Sequence, residues 1–251
     1  MRNIFLKLKY IGTAYHGWQV QENAQSVQQV LQDAIEAVTG SRGCVTGCSR
    51  TDAGVHANMY CCTLKTESEI DCYKLQGALN AKLPRDISVY ACMDVDADFH
   101  PRYSCTAKQY VYKIYNGVAR DPFFENRALY YRPHLDENLL NAEAKYYIGT
   151  HDFTSFCSTK SDVEDNTRTV YDASVSRDGD VVTFTVTADG FLYNMVRIMV
   201  GTLLFISEGK RKTGSIPDII KAKDRNSAGM TAVSCGLYLN KVFYGGEYHA
   251  K

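Results

Sequence analysis

The chain has 251 residues, 45% of them hydrophobic and 22% charged, with 28 basic and 28 acidic side chains that balance to zero. This is the composition of an ordinary soluble globular protein, and no low-complexity tract suggests disorder. The longest apolar run, residues 191–207, is too short for a comfortable membrane span and carries Asn194 and Arg197 in its middle, which predicts a buried helix and no membrane partner.

In chain order, Ile4, Leu6 and Leu8 alternate with Lys7 and Lys9, which predicts a half-buried strand over 4–10. After the Gly12 and Gly17 turn region, Ser26 with Gln29 forms a capping box, followed by apolar residues at helical spacing and ended by Gly40. Strands are expected over 55–65, 87–95 and 109–115, with a helix over 72–81. The second half repeats the theme: a strand over 128–132, a helix over 136–148, and strands over 170–176 and 181–188 joined at Asp178 and Gly179. A long helix over 193–208, a short one introduced by Ser215 and Pro217, and a strand over 237–244 complete it. The pattern predicts an α+β fold of two similar subdomains, 1–105 and 106–251, each a mainly antiparallel sheet backed by helices, with a cleft between them.

Nine cysteines form an odd set without a C-x-x-C pair, and no signal-peptide pattern precedes them, so reduced and mostly buried thiols in a cytoplasm are expected. Cys44 and Cys48 have only His56 nearby, so no metal site is expected. Charge is uneven: residues 1–120 carry a net +2, residues 121–189 a net −7 and residues 190–251 a net +5. Between Phe99 and Arg120 there is no acidic residue, while Arg102, Lys108, Lys113 and Arg120 alternate with Tyr103, Tyr110, Tyr112 and Tyr115. Cations interleaved with rings suit looped RNA, and the same stretch also reads as a strand with a tyrosine face in the core.

The stretch GCSRTDAG (47–54) places Asp52 on a glycine-bounded loop between two apolar strands. By itself T-D-x-G reads as an Asx turn. Arg197 sits among Met195, Val196, Ile198, Met199 and Val200, where a guanidinium snorkels or needs a carboxylate. Asp52 is a candidate partner, since a carboxylate held ionised there would serve as nucleophile or base.

The run GCSRTDAGVHA (47–57) resembles the active-site motif of the bacterial tRNA pseudouridine synthase A family. The likeness continues through YIGTAYHGWQVQ (10–21), NAKLPRDISV (80–89), FHPRYSCTAKQYVYKIYN (99–116), GTHDFTSF (149–156), FLYNMVRIMVG (191–201) and GLYLNKVFY (236–244). The resemblance implies an isomerase that converts uridine to pseudouridine at positions 38, 39 and 40 of the tRNA anticodon stem and loop after flipping the base out of the stack. It implies Asp52 as the catalytic residue, Arg197 as its cationic partner and Tyr110 as the ring against the uracil. Arg50, the segment Phe99, His100, Pro101, Arg102 and Tyr103, and Lys108 and Arg168 become RNA contacts. A homodimer and a cytoplasmic location are implied as well. The isomerisation exchanges no electrons and loses no group, so no cofactor, nucleotide or metal is expected, in keeping with the lack of a Walker loop or Rossmann fingerprint.

Within that resemblance, Asp52 attacks ribose C1′, attacks uracil C6, or removes a ribose proton, and the three routes stay open. Ile11, Cys105, Lys108 and Val233 depart from residues common in the family, beside the motifs but outside the set Asp52, Tyr110 and Arg197. His16, His56 and His100 receive no acid or base role, and Trp18 is expected to be a core anchor. A paralogue acting on another RNA or position, a non-catalytic RNA-binding protein and an aspartate-nucleophile hydrolase of small molecules are the rival readings.

Overall fold

The computed structural model describes residues 1–158 and 165–245. The chain runs through β1 (Arg2–Tyr10), α1 (Val27–Thr39), β2 (Cys44–Gly47), β3 (His56–Thr66), α2 (Cys72–Lys82) and β4 (Ile87–Val95). It continues through β5 (Cys105–Tyr115), β6 (Leu129–Tyr130), α3 (Glu137–Ala144), β7 (Gly149–Asp152), β8 (Thr167–Asp178), β9 (Val181–Ala188), α4 (Met195–Ser207), α5 (Ile216–Ala222) and β10 (Leu237–Tyr244). The fold is α+β, with mostly antiparallel pairing.

The first compact unit comprises residues 1–106 and takes up the final strand from 238 onward; the second comprises residues 107–237. In the first unit the strand order is β4, β1, β3, β10. β1 pairs antiparallel with both β3 and β4. β3 carries two neighbours on its far edge: β2 lies antiparallel against Cys62 to Lys65, and β10 lies parallel against His56 and Ala57. The chain therefore leaves the sheet at Gly47 and re-enters it at His56, with the GCSRTDAG loop spanning the interval.

Helix α1 is specified locally. Ser26, in extended conformation, accepts the Gln29 N–H at 3.2 Å, and Gly40 ends the helix in the left-handed region at φ 76°. Val27, Leu31, Ala34 and Ile35 make the buried stripe that the spacing predicts. Asp71 caps α2 in the same manner through the Lys74 N–H.

In the second unit the order is β5, β9, β8, β7, all antiparallel, with β6 parallel to β5. Helix α4 is apolar nearly all round, and ten of its thirteen residues are buried, as expected of a helix through a core. Among the described residues no helix is long and apolar enough to cross a membrane.

Three local expectations need correction. The helix expected over 136–148 ends at Ala144 and tightens into a 3-10 turn, Lys145–Tyr147. The strand expected over 128–132 is only two residues long, Leu129–Tyr130. The cysteines are not mostly buried: Cys48, Cys61, Cys62 and Cys157 are buried, Cys44 is exposed, and the other four are in between.

Candidate active site

The loop carrying Asp52 is held by its backbone. Trp18 stacks on Tyr60 with centroids 3.9 Å apart, and the Tyr60 phenol donates a hydrogen bond to the Ser49 carbonyl. Burial pushes the Tyr60 phenol well up, so it keeps the proton it donates. The Trp18 backbone N–H donates to the Thr51 carbonyl at 3.2 Å, and the Thr51 and Tyr10 hydroxyls lie 3.0 Å apart. Downstream of Asp52, the Gly54 N–H donates to the Tyr15 carbonyl at 3.1 Å and the Val55 N–H to the Asp52 carbonyl at 3.2 Å. Asp52 is half-buried between these fixed points, and Arg50, two residues before it, is exposed.

Two glycines make the close approach possible. Gly17 sits at φ 85°, and a Cβ there would collide with the Thr51 carbonyl and lie 3.2 Å from the Asp52 carbonyl carbon. Gly12 donates its N–H to Nδ1 of the fully buried His56 at 2.9 Å, and a Cβ on it would overlap the Val55 carbonyl. His56 thus ties the end of the loop to the turn after β1, with its ring 4.5 Å from that of Tyr238. Trp18, 3% exposed, is the core anchor expected of it.

The segment from Phe99 to Tyr103 forms a braced turn in the same unit. Phe99 packs edge-on against Phe5, with centroids 5.3 Å apart, and at a tilt against Tyr244, 5.4 Å away. The Asn3 amide donates to the carbonyls of Asp96 and Phe99, and the Tyr244 phenol to that of the buried Pro101 at 2.7 Å. His100 Nδ1 accepts from the backbone N–H of Arg102 and of Tyr103. The product is a rigid turn whose Arg102 and Tyr103 face solvent, Tyr103 at 77% exposure, with the guanidinium 5.8 Å from the ring.

Tyr110, Lys108, Arg168 and Arg197 belong to the second unit. On β5, Tyr110 lies opposite Val186 and Lys108 opposite Ala188 of β9. Tyr110 is 7% exposed, and its ring meets Phe191 edge-on at 4.9 Å. Arg168, on β8 opposite His151, donates to the carbonyls of Asp165 and Thr167.

Arg197, half-buried in the first turn of α4, donates from Nε to the Ala232 carbonyl at 2.6 Å and from Nη1 to Asn194 Oδ1 at 2.7 Å. In return the Ala232 N–H donates to the Arg197 carbonyl at 3.1 Å. The irregular segment around Gly229 lies tight on α4, since a Cβ on Gly229 would press on the Gly201 backbone. Asn194 and the Ala232 carbonyl were not anticipated from sequence. An asparagine just before an apolar helix reads as an ordinary cap, and a backbone carbonyl leaves no mark in sequence.

The family model described as tRNA pseudouridine synthase matches residues 8–104 and 144–245. Proteins called tRNA pseudouridine synthase A are similar over nearly the whole chain. Those of Thermoanaerobacter sp. (strain X514) and Clostridium acetobutylicum are each 45% identical over 244 residues, and that of Acetivibrio thermocellus is 43% identical. In each case the match covers 97% of this chain and 100% of the relative. Among solved structures, one described as a Cbf5-Nop10-Gar1 complex aligns with TM-score 0.41 and 12% identity, over 96% of this chain and 59% of that one. The chain belongs to the tRNA pseudouridine synthase family and is an isomerase of that class.

Proposed function

We propose that this protein converts uridine to pseudouridine at positions 38, 39 and 40 of the tRNA anticodon stem and loop, with Asp52 as the catalytic residue. Family membership supports the tRNA pseudouridylation itself. The observation that carries the role of Asp52 is its backbone. The loop is pinned on both sides of Asp52 by the Tyr60, Trp18 and Tyr15 contacts, so the backbone that presents the carboxylate is held in place before substrate arrives.

The reaction breaks the bond from uracil N1 to ribose C1′, turns the base while it stays bound, and rejoins C1′ to C5. The C5 proton leaves to solvent and N1 takes one up, so atoms and charge balance without any cofactor. A paired or stacked uridine must first be flipped out, at a cost of a few kcal/mol. Arg50, exposed beside Asp52, is the side chain suited to fill the space the base leaves. Tyr110 offers a ring whose orientation is set by Phe191, suited to hold the freed uracil. Arg197 is the cation that stabilises the reacting carboxylate. Arg102 and Tyr103 on their braced turn offer phosphate and base contacts, and Lys108 and Arg168 extend them. The protein acts as a cytoplasmic homodimer on tRNA.

The test is release of tritium from an anticodon stem-loop RNA labelled at uracil C5, with pseudouridine mapped afterwards. The wild type should release tritium at the labelled site, and Asp52→Asn should be slower by on the order of 10³-fold or more. Release from another RNA only would make the protein a paralogue of different specificity, and binding without release from any RNA would make it a binding protein.

A further inference from the structure

Asn194 occupies the position that precedes α4, where an asparagine side chain normally accepts an N–H of the first turn. It makes no such cap here. Its Oδ1 accepts from Arg197 Nη1 at 2.7 Å, and its Nδ2 donates to Ser158 Oγ at 2.9 Å. The orientation of the amide is decided by chemistry, because a guanidinium only donates and therefore faces the oxygen. The backbone of Asn194 is left-handed, φ 62° and ψ 7°, a conformation that asparagine adopts more readily than other non-glycine residues. The helix start thus lacks its side-chain cap, and the amide instead supplies a second grip on the guanidinium that Ala232 already holds at Nε. Two fixed nitrogens of a planar fork determine the direction of the whole group.

We propose that Asn194 is a positioning residue that orients Arg197 for the isomerisation. The proposal rests on the assignment of Arg197 to the reaction. Ser158, whose N–H also bonds the Tyr193 carbonyl at 3.1 Å, locks the amide and makes the third member of the chain from Ser158 through Asn194 to Arg197.

Single-turnover rate, RNA dissociation constant and melting temperature are measured on the full chain for Asn194→Gly, Arg197→Lys and the double variant, with an anticodon stem-loop RNA. Glycine takes the left-handed backbone without strain, so the helix start is kept while the amide is lost. Asn194→Gly is expected to slow the chemical step by about 10- to 100-fold, with RNA affinity and melting temperature close to wild type. In the Arg197→Lys background, itself slowed, it should have no further effect, because an ammonium lacks the fork that the amide grips. A wild-type rate for Asn194→Gly, or a loss that multiplies in full with that of Arg197→Lys, overturns the inference while leaving the role of Arg197 in place. A wild-type rate for Arg197→Lys overturns the assignment of Arg197 and the inference with it. Ser158→Ala, which frees the amide but keeps the backbone, provides the second variant: a smaller loss with the same pattern supports the proposal, and a wild-type rate counts against it.

Discussion

Trp18 stacks on Tyr60 with 3.9 Å between ring centroids and 24° between planes, and each ring residue reaches the loop that carries Asp52. Tyr60 does so through its phenol to the Ser49 carbonyl and Trp18 through its backbone N–H to the Thr51 carbonyl. The phenol of one residue and the backbone of the other thereby fix the loop at two points upstream of its carboxylate.

Removing one of those points should loosen the loop. Tyr60→Phe keeps the stacked ring and deletes the donor, so it should cost about 1–2 kcal/mol in chemical unfolding. Turnover should fall more than RNA affinity, which steady-state kinetics compared with filter binding would reveal.

Gly17→Ala forces an alanine into the left-handed region and drives its Cβ into the Thr51 carbonyl. Gly40→Ala is the control, since Gly40 has φ 76° but no atom within 4 Å of an added Cβ. The control should lose about 1–2 kcal/mol from backbone strain alone. Calorimetry should show the larger destabilisation at Gly17, accompanied by lost activity; equal losses at the two sites would mean that the loop yields to the methyl group.

Arg102→Glu and Tyr103→Ala alter side chains that face solvent, so neither should move the melting temperature. Arg102→Glu should weaken RNA binding and lower the slope of log K against log salt by about one. Tyr103→Ala should weaken it by about 1–3 kcal/mol with the slope unchanged. Binding titrations across salt separate the two behaviours.

Asp152 bonds Lys223 Nζ at 2.8 Å and the Thr154 hydroxyl at 2.6 Å. The ammonium first, and then the hydroxyl, hold its carboxyl below the usual carboxylate range. A carboxyl whose folded pKa is depressed contributes stability that is fully present above its unfolded pKa, about 3.9, and is lost as pH falls through the folded value. Asp152→Asn should therefore be slightly less stable at neutral pH and show a shallower decline below about pH 4, read from urea unfolding across pH. The bridge is partly exposed, so the effect is small.

The strands β4 (Ile87–Val95), β9 (Val181–Ala188) and β10 (Leu237–Tyr244) lie where alternation and turn residues predict them, and Ser26 and Gly40 bound α1 as read. The strands β2 (Cys44–Gly47) and β7 (Gly149–Asp152) went unread. Each is four residues long, too short to show a period, and becomes a strand only because a longer neighbour, β3 or β8, offers it a hydrogen-bonding edge. At the candidate site, the Asp52 loop was legible from its glycines and its likeness to a known motif. The pinning of that loop by Tyr60, Trp18 and Tyr15 was not, because those partners lie on separate segments.

What sequence alone determined is what neighbouring residues decide among themselves: helix caps, strand alternation, the apolar span of α4, and the family to which the ordered motifs belong. Tertiary structure decided the rest. The parallel register that sets Tyr238 beside His56 joins residues far apart in the chain, and no local energy distinguishes it from other pairings. The amide of Asn194 stands where an asparagine commonly caps its own helix, yet it bonds Arg197 and Ser158. A side chain with two comparable hydrogen-bonding choices takes the one that the surrounding packing leaves in reach, and that packing is assembled from distant parts of the chain.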